Sequence, residues 1–389
     1  MITRIHIENF KSLVDFDLPP DGQDLSGFTC LIGLNGAGKS TLLQAFDFVA
    51  QVAAGGISDW LERREWNKRE LLSQGCKKPI ITFKVTLRSK AGMSLEWQAR
   101  FNVPLLRCTM ETITMNDRGL LKLDNGALSF AVKEGASPRA FEKVPFEYQG
   151  SVLSALNLTD AEPAIAEVKT ALRNVCSLEL LSPQLMRKKA RLARDIGASG
   201  EKLSPFLHQL PLRAKGKLIE ALQQFYPHML AWNVKGYRGG WKQLRVLEDY
   251  GYPRLVGAGH IHDGFLRVIA VLSQKFTSHE VLLLDEIENG INPALAEKLM
   301  DFLVSLGTEC KQVIVTTHSP VILNFLEDQV AREGVILLYR TGRGETKSCR
   351  YFDQPETGHK LRALGPGEVF VDTDLTKMAD RLGHNGGVE

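Results

Sequence analysis

Gly-Leu-Asn-Gly-Ala-Gly-Lys-Ser, residues 33–40, is the stretch of this chain that decides its fold. It fits the pattern G-x-x-x-x-G-K-[S/T], in which glycines let the backbone curl so that successive N–H groups point inward at phosphate oxygens. A short apolar strand pattern, residues 28–32, precedes it, and a helical pattern from Ser40 to about Val52 follows it. Since the N-terminal end of a helix also attracts anions, the stretch predicts a strand, a phosphate-binding loop and a helix.

Two side chains at the end of this loop suit ATP with Mg²⁺. Lys39 is expected to bridge the terminal phosphates, and Ser40 to offer its hydroxyl to the metal ion. The alternative is a glycine-rich turn before an ordinary helix. The strand–loop–helix context argues against that alternative.

A pair of acids follows a second apolar stretch. Val281–Leu284 is an unbroken apolar run, typical of a strand buried on both faces of a parallel sheet, and Asp285 and Glu286 come directly after it. The first acid at a strand end can hold Mg²⁺ through water, and the second can accept a proton from an attacking water. Because the acids lie far along the chain from Lys39, we expect a sheet interrupted by a large insertion.

A histidine follows the next buried strand pattern. Residues 313–316 are the strand, His318 comes shortly after it, and Pro293 starts the helix that joins it to the strand before the acids. Ligands of open α/β sheets bind at the carboxyl ends of the strands. The loop 33–40, the acids 285–286 and the histidine are therefore predicted to meet at one edge of a sheet.

The rest of the chain divides by its hydrophobic period. Three alternating segments between residues 80 and 114 predict an antiparallel meander, and the period becomes helical from about residue 151. Gly239-Gly240 predicts the turn of a hairpin. We therefore predict three parts: residues 1–150 as the N-terminal part of a nucleotide-binding core, residues 151–245 as an inserted helical subdomain, and residues 246–389 as the C-terminal part of the core.

Composition limits the class of protein. The 389 residues carry a net charge of +3, which argues neither for nor against nucleic acid because a local basic patch can hide in a neutral total. The six cysteines contain no C-x-x-C pair, so neither a zinc site nor a disulfide framework is expected. The N-terminus has no apolar signal core, and the apolar runs are far shorter than the ~20 residues that span a bilayer. The sequence predicts a cytoplasmic protein without a membrane segment.

Together, the motifs GLNGAGKS, VLLLDEIENGINP and VIVTTHSP resemble those of AAA family ATPases with an ABC-type head, the group that includes RecF-like, SMC-like and OLD (overcoming lysogenization defect) proteins. The resemblance implies an α/β fold: a P-loop NTPase of the ABC-ATPase type with a mixed sheet, an antiparallel β subdomain and an inserted helical subdomain. Residues 7–12 resemble the N-terminal strand of that group, in which a basic residue, here Lys11, approaches the nucleotide.

The resemblance also implies roles for the motif residues. Asp285 is implied to hold Mg²⁺ together with Ser40, Glu286 to be the base that activates water, and His318 to sense the γ-phosphate. The segment 288–293 is implied to be the D-loop that crosses to a partner subunit. The residues implied to bind ATP in the phosphate loop are Asn35, Gly36, Ala37, Gly38, Lys39, Ser40 and Thr41.

ABC-type heads also have a signature segment at the start of a helix, which caps the γ-phosphate bound to the opposite subunit. The best match is residues 261–267, where His262 stands at the position that is usually serine and Gly264 keeps the usual glycine. An imidazole can still donate to phosphate, and Gly264 offers a backbone N–H. Both residues are expected to contact ATP. Gln149 is the candidate for the Q-loop glutamine.

A basic segment lies in the predicted insertion. Arg187, Arg191 and Arg194 share one face at helical spacing, with Lys188 and Lys189 beside them. This face could contact nucleic acid or an acidic partner, and it could equally be the solvated face of a surface helix. The segment itself has no interleaved aromatic residue that would suggest base stacking.

Two functional hypotheses follow from these observations. In the first, the chain forms a homodimer or a higher even oligomer in which two subunits sandwich ATP, and it regulates or powers a separately encoded effector, a nuclease or toxin, in antiphage defence. In the second, the protein is a DNA-repair or genome-maintenance clamp that binds DNA directly, with ATP as a gate. An ABC transporter subunit is disfavoured by the long insertion and the altered signature.

Overall fold

The structure is a computed structural model that describes residues 1–133, 137–179, 181–191 and 193–385. The strands are β1 (Ile2–Phe10), β2 (Leu13–Leu18), β3 (Phe28–Ile32), β4 (Ile80–Arg88), β5 (Ser94–Asn102), β6 (Arg107–Met115), β7 (Arg118–Asp124), β8 (Ala127–Phe130), β9 (Arg139–Phe141), β10 (Val175–Ser177), β11 (Met229–Gly236), β12 (Lys242–Asp249), β13 (Pro253–Gly257), β14 (Val281–Leu284), β15 (Gln312–Thr316), β16 (Val335–Arg340) and β17 (Thr346–Arg350). The helices are α1 (Lys39–Ala54), α2 (Ile57–Arg63), α3 (Pro163–Arg173), α4 (Pro183–Met186), α5 (Leu203–Gln209), α6 (Leu212–Phe225), α7 (Asp263–Ser273), α8 (Pro293–Glu309), α9 (Pro320–Asn324), α10 (Asp328–Gly334), α11 (Pro355–Lys360), α12 (Pro366–Val371) and α13 (Leu375–Asn385).

The chain forms two compact units. The first contains Met1–Val175 and Glu327–Glu389, and the second contains Cys176–Leu326. The domain boundaries drawn from the sequence, at residues 150 and 245, stay a prediction. Among the described residues, no helix is both long enough and apolar enough to cross a bilayer.

An antiparallel sheet dominates the first unit. Its order is β2-β1-β4-β5-β6-β7-β8-β9, and the predicted meander is confirmed as β4, β5 and β6. The strands alternate buried and exposed residues, as a sheet with one covered face requires. Aromatic side chains of the covered face hold helix α1: the ring of Phe48 lies 5.5 Å from that of Phe83 and 5.2 Å from that of Phe101.

Three further strands of the first unit surround the phosphate loop. β3 is buried along its whole length and pairs in parallel with β16, which in turn pairs with β17 as an antiparallel hairpin. Because β3 ends at Ile32, the loop and α1 follow it directly, as the sequence predicts.

The second unit contains the predicted strand–helix–strand motif. β14 and β15 are parallel, and α8 joins them, with Pro293 in its first turn and the side chain of Asn292 capping its N-terminus. A separate three-stranded antiparallel sheet has the order β11-β12-β13. The hairpin of β11 and β12 turns at Gly239 and Gly240, both of which have positive φ, so this prediction is also confirmed.

The basic segment of this unit differs from its prediction. α4 ends at Met186, and the described residues after it, up to Gly200, are not helical. Instead, Ala190 exchanges two backbone hydrogen bonds with Lys242 of β12, at 2.8 and 3.1 Å. The prediction that Arg187, Arg191 and Arg194 share one face of a helix is therefore wrong, because backbone pairing to a distant strand overrides the local pattern.

Candidate functional site

Glycine is required at two positions of the phosphate loop. Gly33 has φ 148°, and a Cβ on it would lie 2.3 Å from the carbonyl oxygen of Leu338. Gly38 has φ 107°, and a Cβ there would lie 2.3 Å from Oγ1 of Thr346. Gly36 is also left-handed, at φ 79°. A loop with this curl directs backbone N–H groups towards one point, which suits a phosphate group.

Lys39 is folded over the loop that precedes it. Its ammonium group donates to the carbonyl oxygens of Gly33 at 2.9 Å and Leu34 at 3.1 Å, and the residue is only 6% exposed. Ser40 and Thr41 follow in the first turn of α1, whose positive end favours an anion. The structure thus brings together every residue that the sequence predicts for the phosphate loop.

The ends of β16 and β17 that flank their hairpin turn support the phosphate loop. Oγ1 of Thr346 donates to the carbonyl oxygen of Ala37 at 2.9 Å, and the hydroxyl of Ser12 lies 2.8 Å from the same Oγ1. Nε of Arg340 donates to the carbonyl oxygen of Gly36 at 2.7 Å. Sequence reasoning missed these supports, because no local signal connects positions that are some three hundred residues apart.

Lys11 and Gln149 are candidates whose contacts the structure defines. Nζ of Lys11 donates to Oε1 of Gln44 on α1 at 2.9 Å and lies 3.2 Å from the ring centroid of Trp66. The amide group of Gln149 pairs with Ser58 at the start of α2, at 2.6 and 3.0 Å. Their roles towards the nucleotide stay predictions.

In the second unit, the acid pair is fixed by a threonine of the neighbouring strand. Oγ1 of Thr316 donates to a carboxylate oxygen of Asp285 and accepts from the backbone N–H of Glu286 at 2.8 Å. Glu286 has φ 47°, a left-handed conformation that is uncommon for a residue with a side chain. Such strain persists only where surrounding contacts impose it, and it is concentrated at functional sites.

The histidine lies beside the second acid. Nε2 of His318 is 3.8 Å from a carboxylate oxygen of Glu286, and both side chains are partly exposed. Glu288 binds the same turn twice, accepting from the backbone N–H of His318 at 2.7 Å and from Oγ1 of Thr317 at 2.9 Å. The ends of β14 and β15 are thus joined into one cluster, as expected for neighbouring parallel strands, while the catalytic roles of these residues stay predictions.

His262 caps the helix of the signature segment. Its Nδ1 accepts from the backbone N–H of Phe265 at 3.1 Å, so the imidazole makes the contact that a serine makes at an N-cap. A Cβ on Gly264 would lie 2.9 Å from the carbonyl oxygen of Gly290, so Gly290 closely approaches the start of α7. The ring of Tyr226 packs 5.2 Å from His262, and burial raises the pKa of its hydroxyl to about 12.

The fold is that of ABC-type ATPase heads. An SMC head bound to the C-winged helix domain of ScpA matches over 89% of this chain and 96% of its own, with a TM-score of 0.54 and 14% identity. The SMC head of Pyrococcus furiosus, with an extended coiled coil and bound to the C-terminal domain of ScpA, matches over 93% of this chain and 99% of its own, with a TM-score of 0.52 and 14% identity. The fold class expected from the sequence is confirmed.

Sequence comparisons give the same class. A family model described as "AAA ATPase domain" matches residues 1–85, and one described as "AAA domain, putative AbiEii toxin, Type IV TA system" matches residues 193–324. The OLD nuclease of Thermus scotoductus is 45% identical over 49 residues, which are 13% of this chain and 8% of that protein. The resemblance to AAA-type ATPases with an ABC-type head is therefore confirmed.

Proposed function

We propose that this chain binds ATP with Mg²⁺ and hydrolyses it. The observation that carries the proposal is the phosphate loop, in which Gly33 and Gly38 admit no side chain and Lys39 lies against the loop carbonyls. An ordinary turn before a helix needs neither restriction. With ATP bound, Nζ of Lys39 replaces its hydrogen bonds to these carbonyl oxygens with hydrogen bonds to phosphate oxygens. The new hydrogen bonds are stronger, because both the ammonium group and the phosphate are charged.

The acid pair and the histidine supply the chemistry in this proposal. Glu286 accepts the proton of the attacking water, and its fixed backbone holds the carboxylate in place. His318 stands 3.8 Å from that carboxylate, and in this proposal it donates to the γ-phosphate. Positioning and electrostatic stabilisation dominate catalysis of phosphoryl transfer, so few groups are needed.

The donor set suits Mg²⁺. This ion prefers oxygen ligands, and the two residues assigned to it offer a hydroxyl from Ser40 and a carboxylate from Asp285. The hydrogen bond from Thr316 orients the carboxylate of Asp285, which is the support that metal-binding carboxylates commonly have. Bound Mg²⁺ neutralises charge on the phosphates.

We also propose that two copies close around ATP. His262 and Gly264 lie at the N-terminus of α7, where Nε2 of the imidazole and the first backbone N–H groups can meet a γ-phosphate held by the other copy. The D-loop segment, residues 288–293, lies beside this terminus through Gly290 and belongs to the same dimer surface in the proposal.

The nucleotide cycle then regulates or powers a separately encoded effector, a nuclease or toxin, in antiphage defence. Two comparisons support this part: the family model that names a toxin system, and the short match to an OLD nuclease. The SMC heads of similar fold are bound to a separate protein, which favours a protein partner here as well.

ATP turnover of the purified chain tests the first part. Lys39→Ala should abolish nucleotide binding, whereas Lys122→Ala, an exposed lysine on β7, should leave it unchanged. Glu286→Gln should bind ATP, hydrolyse it at least about a hundredfold more slowly and accumulate as a dimer in sizing experiments with ATP. Unchanged turnover in Lys39→Ala, or a Glu286→Gln form that stays monomeric with ATP, refutes the corresponding step.

The effector is tested by co-expression with the product of the neighbouring gene. Toxicity or nuclease activity that requires the wild-type chain and is altered by Glu286→Gln supports the proposal. An effector activity that does not require the wild-type chain and is not altered by Glu286→Gln refutes this part of the proposal. That result leaves the proposed ATP hydrolysis unaffected.

A further inference from the structure

We propose that the second unit carries a binding surface for single-stranded nucleic acid. The surface is the basic–aromatic cluster, defined as Lys188, Lys189, Arg191, Tyr237, Arg238 and Trp241. This inference does not rest on ATP binding, because every residue of the cluster lies outside the nucleotide motifs.

The cluster is formed by two segments that are distant in the sequence. Ala190 pairs with Lys242 through two backbone hydrogen bonds, and Nε2 of Gln243 donates to the carbonyl oxygen of Arg187 at 2.9 Å. These bonds hold residues 187–191 against the turn of the β11–β12 hairpin. Between the two segments lies an open groove.

Two aromatic rings of the hairpin each pack against a cation of the basic segment. Nζ of Lys189 lies 3.9 Å from the ring centroid of Tyr237, and the guanidinium of Arg191 lies 4.6 Å from that of Trp241. Trp241 is 38% exposed, which is unusual for so large an apolar side chain. The aromatic interleaving that the sequence of residues 187–194 lacks is thus supplied by the hairpin.

The charge of the two segments has one sign. Residues 187–194 and 234–245 contain nine Lys and Arg and no Asp or Glu, although the whole chain has 48 basic and 45 acidic residues. A solvated surface usually mixes both signs. Asp263 forms an ion pair with Arg187, whose guanidinium also donates to the carbonyl oxygen of Ile261 at 2.6 Å. Arg187 is thus held by residues 261–263, whereas Lys188, Lys189 and Arg238 are exposed.

These features fit a single strand better than a duplex. Base faces are covered in a duplex, whereas an unpaired base can stack on Trp241 or on the guanidinium plane of Arg191. Lys188, Lys189 and Arg238 are exposed and can contact the phosphates that flank such a base. A sequence-tolerant mode of binding follows, since every base has a face to stack.

The test is fluorescence anisotropy without nucleotide, using labelled oligothymidylate of about 20 residues, longer than the roughly 4–16 nucleotides that one strand-binding module covers. An abasic oligomer of the same length has the same phosphates and no bases. Trp241→Leu should weaken binding of oligothymidylate at least about tenfold and leave the abasic oligomer unaffected. Trp241→Phe should restore the affinity, which separates stacking from a folding defect.

The cations are tested by salt dependence. Lys188→Gln and Lys189→Gln should each lower the slope of log affinity against log salt by about 0.7, the value for one phosphate contact of a single strand. Lys217→Gln is the matched control, because Lys217 is exposed on α6 of the same unit and is not part of the cluster.

Four results would overturn the inference. The first two are no binding of oligothymidylate, and equal binding of both oligomers with no effect of Trp241→Leu. The third is tighter binding of a matched duplex, and the fourth is that Trp241→Leu weakens binding of polyglutamate as much as it weakens binding of oligothymidylate. The third result assigns the surface to a duplex clamp, and the fourth assigns it to an acidic polypeptide. Since all titrations omit nucleotide, each of these outcomes leaves the ATP proposal untouched.

Discussion

Glu111 should make the stability of the first unit depend on pH. It lies on β6, is 1% exposed, and accepts hydrogen bonds from the backbone N–H of Val152 at 2.6 Å, Nε1 of Trp97 at 3.1 Å and the hydroxyl of Ser151. Burial raises its pKa from 4.5 to about 7, while the three donors act in the opposite direction. Through the hydrogen bonds from Ser151 and Val152, this carboxyl group anchors residues 151–152 to β6.

The direction and size of the effect follow from this pKa. In the unfolded chain the carboxyl group loses its proton near pH 4.5, but in the folded chain only near pH 7. Stability from this group is therefore complete below the unfolded value and is lost as pH rises through the folded value. Each unit of difference is worth about 1.4 kcal/mol, so a gap of about 2.5 units amounts to about 3 kcal/mol.

Glu111→Gln removes the ionisation and isolates the effect. The difference in unfolding free energy between the variant and wild type should therefore change with pH. It should rise in favour of the variant by about 3 kcal/mol as the pH increases from about 4.5 to about 8. Urea unfolding across this range, followed by tryptophan fluorescence, measures the difference, and Trp97 reports on the site itself. Glu142→Gln, at an exposed position of the same unit, should show no such trend. A difference between Glu111→Gln and wild type that does not change with pH would refute the reasoning.

Three further predictions concern the motifs. Thr346→Val should lower stability by about 1–3 kcal/mol and weaken ATP binding in calorimetric titrations, because Ala37 loses its buried donor; an affinity equal to wild type would contradict this. His262→Ala should destabilise α7 by about 1 kcal/mol in thermal unfolding, whereas His262→Ser should not, since serine retains the cap; equal losses would exclude capping. Glu288→Ala should slow ATP turnover about tenfold, because the backbone N–H of His318 and the hydroxyl of Thr317 both lose their acceptor; unchanged turnover would show that this contact is dispensable.

Local patterns predicted the elements that local forces determine. The strand–loop–helix arrangement around residues 33–40 depends on glycines within eight residues, and the strand–helix–strand motif depends on apolar runs and on Pro293. The structure confirms both of these arrangements. The antiparallel meander follows from its alternating pattern for the same reason.

Contacts between distant segments could not be read in this way. Thr346 supports Ala37 across the sequence without any motif of its own. The basic segment has helical spacing, yet its backbone pairs with β12, because two hydrogen bonds to a neighbouring strand replace those of a helix. The same pairing brings Trp241 to Arg191, so the error about the helix also hid the aromatic part of the surface.

The contacts of Glu288 change how variants of residues 288–293, the predicted D-loop, should be interpreted. From the sequence, a loss of ATP turnover on changing residues 288–293 would be assigned to a failure of two copies to pair. In the structure, however, the carboxylate of Glu288 accepts from the backbone N–H of His318, so a change at this position also disturbs His318 of the same copy. Gly290 contacts the start of α7 instead, through its approach to Gly264. We therefore expect a substitution of Glu288 to reduce ATP turnover and leave dimerisation unchanged. A substitution of Gly290 should reduce both ATP turnover and dimerisation.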